Sequence, residues 1–159
     1  MYYQSTVVTC LMLLLFAICP ATLRADTTTP HDRVALKGLK QAKAIFDVRQ
    51  SELDKLLFNL GLIEETWEGI RQQGVTPKLI VTLRGPAVRL FTTDQAPAEL
   101  TGLLAELKNK GIRIEICSVA TRTFKVENRQ LIPNVILVGN VLTSQIGWQN
   151  KGYALVTLN

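Results

Sequence analysis

Histidine is almost missing from this chain: His31 is the only one in 159 residues. Cysteine is scarce too, with three, two of which fall in an apolar leader. A mononuclear zinc centre therefore has almost no ligand set to draw on, and no metal is expected. Aromatic residues make up 6%, which argues against a base-stacking surface for nucleic acid. The formal charge is +5, but Lys and Arg are scattered. A nucleic-acid partner is not expected, because such proteins concentrate their basic residues on one face. No Gly-x-Gly-x-x-Gly follows the first predicted strand, where Asp47-Val48-Arg49-Gln50-Ser51 stands instead. That argues against a dinucleotide enzyme and leaves no cofactor to expect.

What the chain does have begins with one long apolar run. Val7 to Ile18 is almost wholly apolar, Pro20 breaks it, and Leu23-Arg24-Ala25 ends in a small residue. Residues 1–25 read as a secretory signal peptide. The run is short for a membrane-spanning helix, which needs about 20 apolar residues. Met1 to Thr9 carries no Lys or Arg, so an uncleaved anchor stays open as the one route to a membrane. A lipoprotein reading through Cys19 is weaker, because bulky Ile18 precedes it. Cleavage after Ala25 removes Cys10, Cys19 and Arg24, leaving 17 basic against 13 acidic residues, a net +4. The expected location is periplasmic or secreted. One remaining cysteine, Cys117, makes no internal disulfide there, so the fold rests on its core.

Residues 26–41 show no clear period and read as a spacer, with His31 in a solvated loop. Residues 42–159 read as one α/β domain. Lys43 to Val48 is a predicted strand. Ser51 is placed to cap the next helix, with Asp54 three residues on. Leu53, Leu56, Leu57, Leu60, Ile63, Trp67 and Ile70 follow at helical spacing, and Gly74 ends the run. Gly61 inside it costs about 1 kcal/mol of propensity. Lys78 to Leu83 is nearly continuous and apolar, as suits a strand buried on both faces. Arg84-Gly85-Pro86-Ala87-Val88 is a turn. Pro97 falls in the first turn of a second helix, with Leu100, Leu103, Leu104 and Leu107 as its stripe and Gly111 at its close. Ile112 to Ile116 is a third strand and Ser118 starts a third helix. Val135 to Val138, a helix capped by Asn140 and running to Lys151, and Tyr153 to Leu158 complete the alternation. That order predicts a three-layer α/β fold: an open, mostly parallel five-stranded sheet with helices on both faces.

Ligands bind such sheets outside the carboxyl ends of the strands. Cys117 falls there, at the junction of the third strand and third helix. The helix turns its free N–H groups toward that junction, which favours a thiolate. Ser118 and Thr121 are candidate donors and Arg122 a candidate charge. Arg84, Gly85 and Arg89, after the second strand, are placed to share the rim. The plainer reading stands beside this one: cysteine often serves as a small buried hydrophobe, and Arg84 and Arg89 simply face solvent. Trp67 and Trp148 read as core or interface residues.

Three stretches carry a resemblance. They are Leu83-Arg84-Gly85-Pro86-Ala87-Val88; Gly111-Ile112-Arg113-Ile114-Glu115-Ile116-Cys117; and Leu131-Ile132-Pro133-Asn134-Val135 with Gln149-Asn150-Lys151-Gly152-Tyr153-Ala154. From Lys43 to Leu158 the chain resembles the DsrE/DsrF-like sulfur-relay family, which includes the TusD-type carriers. With its leader it looks most like the exported branch. Where exported relatives often have histidine, this chain has Arg84. The resemblance implies a parallel five-stranded sheet and ring-like homotrimers or homohexamers. It implies a sulfur carrier, rather than a classical turnover enzyme, that holds sulfane sulfur as a persulfide on Cys117. Partners would be sulfur-donor and sulfur-acceptor proteins or small sulfur compounds. The alternative is a non-catalytic oligomeric module that binds a small anion or a protein partner.

Overall fold

The computed structural model describes residues 30–158. Residues 1–25, read above as a signal peptide, with Cys10, Cys19 and Arg24, lie outside the described residues, as does the start of the stretch read as a spacer.

Five short runs rich in aliphatic and β-branched residues form one sheet: β1 (Gln41–Val48), β2 (Thr76–Leu83), β3 (Arg113–Cys117), β4 (Ile136–Val138) and β5 (Ala154–Leu158). All neighbours are parallel, in the order β4-β3-β2-β1-β5. The chain steps outward from β1 to β4, then returns across the sheet to add β5 beside β1. Right-handed crossovers put helices on one face when the chain steps one way and on the other when it steps back. Accordingly α2 (Leu53–Gln72) and α3 (Ala98–Asn109) pack side by side on one face, and α5 (Val141–Asn150) bonds to side chains of the other. The short α4 (Ser118–Thr123) continues directly from β3.

The two faces differ in chemistry. Strand residues alternate in direction, so every second residue shares a face. Phe46, Val48, Val81, Leu83, Ile114 and Ile116 pack in one apolar core with Leu56, Leu60 and Ile63 of α2 and Leu100, Leu104 and Leu107 of α3. The residues between them include Asp47, Thr82 and Glu115, all buried. In register these three stand in one row across β1, β2 and β3, with Thr157 of β5 beside Asp47. The sheet is thus oily beneath α2 and α3 and polar beneath α5.

The element order matches the reading of the sequence, with local differences. The sheet is wholly rather than mostly parallel. The residue at the start of α2 is Glu52, extended at φ −90, ψ 127, and neither it nor Ser51 makes a side-chain cap bond. Glu52 pairs instead with Lys55 at 2.8 Å. Gly61 leaves α2 unbroken over its 20 residues, because tertiary packing of Leu60 and Ile63 outweighs a single propensity cost. Pro97 sits just before α3, and Gly111, at φ +79, closes that helix. Asn140 caps α5 as expected, its side-chain oxygen accepting from Leu142 N at 2.9 Å. Within the stretch read as a spacer lies one helical turn, α1 (Arg33–Leu36), tethered by Asp32 N donating to Gln73 Oε1 at 2.9 Å. No helix among the described residues is long and apolar enough to cross a membrane.

Candidate functional site

Cys117 is the last residue of β3, two residues beyond Glu115 and therefore on the same face of the sheet. Its backbone is extended, at φ −82, ψ 117, and α4 begins immediately after it. Arg84 stands in the equivalent place on the neighbouring strand. It follows Thr82 by two, keeps an extended backbone at φ −148, ψ 177, and continues the ladder through Arg84 N donating to Val48 O at 3.3 Å. Gly85 then turns the chain away. Its φ of +65 lies in the left-handed region that glycine occupies without a Cβ penalty.

These residues meet at a cavity of about 240 Å³ lined by Arg84, Gly85, Cys117, Val119, Ala120, Thr123, Phe124, Asn140, Val141 and Leu142. Cys117 is itself only 4% exposed. The walls come from α4 and from the first turn of α5, and are mostly apolar. The thiol is therefore recessed inside a small pocket, rather than standing open at the rim. Among the described residues Cys117 is the one cysteine, and its thiol is free.

The charge at this pocket comes from Arg84, and its setting was not anticipated. Its Nε donates to Asp47 Oδ1 at 2.9 Å and its Nη2 to Asp47 Oδ2 at 2.8 Å, a two-pronged ion pair. Asp47 also pairs with Arg49 Nε at 3.4 Å and accepts from Gln145 Nε2 at 3.1 Å. The hydrogen bonds it donates to Asp47 hold the Arg84 guanidinium above its ordinary pKa against partial desolvation, and the nearby Cys117 sulfur acts in the same upward direction. Arg84 thus does not simply face solvent. Arg89 is exposed and lies over the Phe124 ring, 5.2 Å from its centroid, so it reaches the pocket only through that ring.

Ser118, Thr121 and Arg122 lie outside the pocket, contrary to the reading of the sequence. On a helix of 3.6 residues per turn, positions 119, 120 and 123 share one side, and positions 118, 121 and 122 turn away from it. Ser118 Oγ accepts from Arg122 Nη1 at 3.2 Å. Thr121 Oγ1 is buried, 3.0 Å from Ser118 O and 2.8 Å from Asn128 Oδ1. These three side chains hold α4 and the following loop together. With six residues, α4 also carries a short dipole, so Arg84 is the main fixed charge near the sulfur.

Four buried polar residues with no site signal of their own in the sequence, Asp47, Thr82, Glu115 and Gln145, form a network next to the pocket. Gln145 of α5 donates to both Asp47 and Thr82 Oγ1, the latter at 2.8 Å. Glu115 accepts from Arg113 Nε at 2.6 Å, from Trp148 Nε1 at 3.1 Å and from Ser144 Oγ. For Asp47, Thr82 and Glu115 the only signal in the sequence is a polar residue one or two places before the end of each strand; for Gln145 of α5 there is none. Trp148 is thus a partner in this network, and the Trp67 ring has Lys110 and Arg71 over it, 4.9 and 5.2 Å from its centroid. Among the described residues no group of three or more His, Cys, Asp or Glu side chains is placed to hold a metal.

A model of the DsrE/DsrF-like family matches residues 42–158. An uncharacterized protein of Aquifex aeolicus (strain VF5) is 24% identical over 124 residues, covering 72% of this chain. The chain spans about half, 55%, of that relative's length. Two solved structures share the fold. The protein of unknown function MTH1491 from Methanobacterium thermoautotrophicum superposes with TM-score 0.64 at 16% identity, over 74% of this chain and 100% of that one. The ychN protein from E. coli gives 0.60 at 20% identity, over the same shares.

Proposed function

The chain belongs to the DsrE/DsrF-like family, and from that membership and the recessed thiol we propose that it is an exported sulfur carrier, with sulfane sulfur held as a persulfide on Cys117. The observation that carries this reading is a cysteine at the carboxyl end of the inner strand β3, lining a small cavity beside a fixed guanidinium. In the first step the Cys117 thiolate attacks the outer sulfur of a persulfide or polysulfide. A bond forms between that sulfur and Sγ, and the donor's own S–S bond breaks, releasing the donor as a thiolate. In the second step an acceptor thiolate attacks the outer sulfur and returns Cys117 to its starting state. No net oxidation or reduction occurs, and the sulfur moves as a neutral atom. The apolar walls shield the persulfide from bulk thiols.

Mass spectrometry of the chain after polysulfide exposure tests this. One added sulfur, about 32 Da, is expected on Cys117 and is expected to be absent from Cys117→Ser. Equal labelling of both proteins sinks the reading.

The proposal extends to assembly and location. The helix α5 is inverted: it buries Val141 and Gln145 against the sheet while Leu142 and Ile146 are 48% and 61% exposed. Ile136, Leu137, Leu155 and Val156 on the two edge strands are also exposed. Exposed apolar surface of this kind is what a homotrimeric or homohexameric ring would cover. The apolar leader directs the chain to the periplasm or outside the cell.

A second reading is favoured by Arg84 itself. In a non-catalytic module, Arg84 and Arg89 would grip a small anion or a partner carboxylate. Cys117→Ser would then be silent and Arg84→Ala would weaken binding.

A further inference from the structure

Asp47 is the group that Arg84 is built around. It is buried, at 3% exposure, and lies on the same face of the sheet as Cys117, two strands away. It takes the Nε and Nη2 edge of Arg84 in a two-pronged pair. Arg84 Nη1 donates to no protein group among the described residues, while Arg84 lines the cavity over Cys117. Arg49 shares the same carboxylate, so the three charges sum to +1 and do not cancel.

We propose that Asp47 is a positioning residue of the Cys117 site: it pins the Arg84 guanidinium so that the cavity selects small anionic sulfur compounds over neutral ones. The inference rests on the reading of Cys117 as the reactive sulfur. A guanidinium held by a fork has one plane and one free edge, whereas a lysine in its place would be a mobile point charge. Ordering Arg84 during folding removes that entropy cost from the binding step. The mostly apolar walls lower the local dielectric, so one charge-assisted hydrogen bond counts for more there than in water. A cavity of about 240 Å³ admits a compact donor such as an inorganic polysulfide and leaves little room for a folded partner.

Two alkylating reagents of nearly equal size, anionic iodoacetate and neutral iodoacetamide, read this directly on the full chain. Both consume the same thiolate, so the ratio of their rates cancels changes in access and ionisation. In the wild type, that ratio is expected to exceed the ratio for a small free thiol by about tenfold, the scale of one charge-assisted hydrogen bond. Arg84→Lys keeps the charge and loses the fork, and its ratio is expected to fall close to that of the free thiol. Asp47→Asn adds one net positive charge, yet its ratio is expected to fall too, because the guanidinium is no longer pinned. If Asp47→Asn does not fold, Arg84→Lys decides alone. A ratio that rises in Asp47→Asn, or persists in Arg84→Lys, overturns the proposal in favour of plain charge attraction. A Cys117 that resists both reagents in the native chain overturns it as well. No sulfur donor enters this assay, so the two readings fail separately. Anion selectivity without polysulfide labelling refutes the carrier, and labelling without selectivity refutes the positioning role.

Discussion

Removing Arg113 should strand a carboxylate inside the protein. Glu115 is 1% exposed and its charge is balanced by Arg113 Nε at 2.6 Å. The remaining acceptor capacity is met by Ser144 and by Trp148 Nε1 at 3.1 Å. Breaking a buried ion pair by deleting one partner costs about 3–5 kcal/mol. The Arg113 side chain is 40% exposed, so water reaches the vacated place and the cost should fall to about 2–3 kcal/mol. The Arg113 guanidinium also lies over the Trp148 ring, 5.7 Å from its centroid, a contact worth at most ~1 kcal/mol at a half-exposed site. Arg113→Met retains much of the packing and removes the charge. Glu115→Gln removes the charge and keeps an oxygen for Trp148, so alone it should cost about 1 kcal/mol. The double variant Arg113→Met/Glu115→Gln should lie close to Glu115→Gln, because no unpaired charge is left. Urea denaturation at neutral pH, followed by tryptophan fluorescence and circular dichroism, gives all three values. If Arg113→Met stays within about 0.5 kcal/mol of the wild type, or the double variant recovers nothing, the burial argument is wrong.

Two further outcomes follow from single side chains. Asn140→Ala removes the acceptor for Leu142 N and should cost about 1 kcal/mol in urea; because Asn140 and Leu142 also wall the cavity, alkylation of Cys117 should become faster. Lys110 is held above the ordinary lysine pKa of 10.5, first by its hydrogen bond to Glu68 and then by Glu64, against some desolvation. A raised pKa stabilises the fold below the unfolded value and loses that effect as pH rises through the folded one. The urea midpoints of wild type and Lys110→Met should therefore differ at neutral pH and converge only above pH 10.5; a gap unchanged at high pH would contradict the assignment.

The order of elements was legible because its signals are local. The stripe from Leu53 to Ile70 and the run from Lys78 to Leu83 each announce their own structure within one window. The site was legible only in part, and the failures have a common cause. Ser118, Thr121 and Arg122 are close to Cys117 along the chain, yet the helical turn rotates them away from the pocket. Asp47 and Gln145 are distant along the chain and adjacent in space. A single polar residue in Lys43–Val48 or in Arg113–Cys117 says little by itself. Only the strand register, which no local window contains, lines Asp47 up with Thr82 and Glu115.

That register also fixes where the sulfur lies. A slip of β3 by one residue would turn Glu115 toward the leucines of α3 and Cys117 away from α5, since alternate residues face opposite sides. The apolar residues of the strand tolerate such a slip poorly, but a buried carboxylate tolerates it less, because it has no partner on the oily face. The polar row is therefore an alignment device as much as a source of stability. Glu115 holds Ser144 and Trp148, Asp47 and Thr82 hold Gln145, and together they set α5 along the sheet. The first turn of α5 carries Val141 and Leu142 over the cysteine. A helix docked through leucines alone could slide by a turn at small cost, whereas one docked through four directed hydrogen bonds cannot. The shape of the pocket thus depends on groups that never touch what enters it.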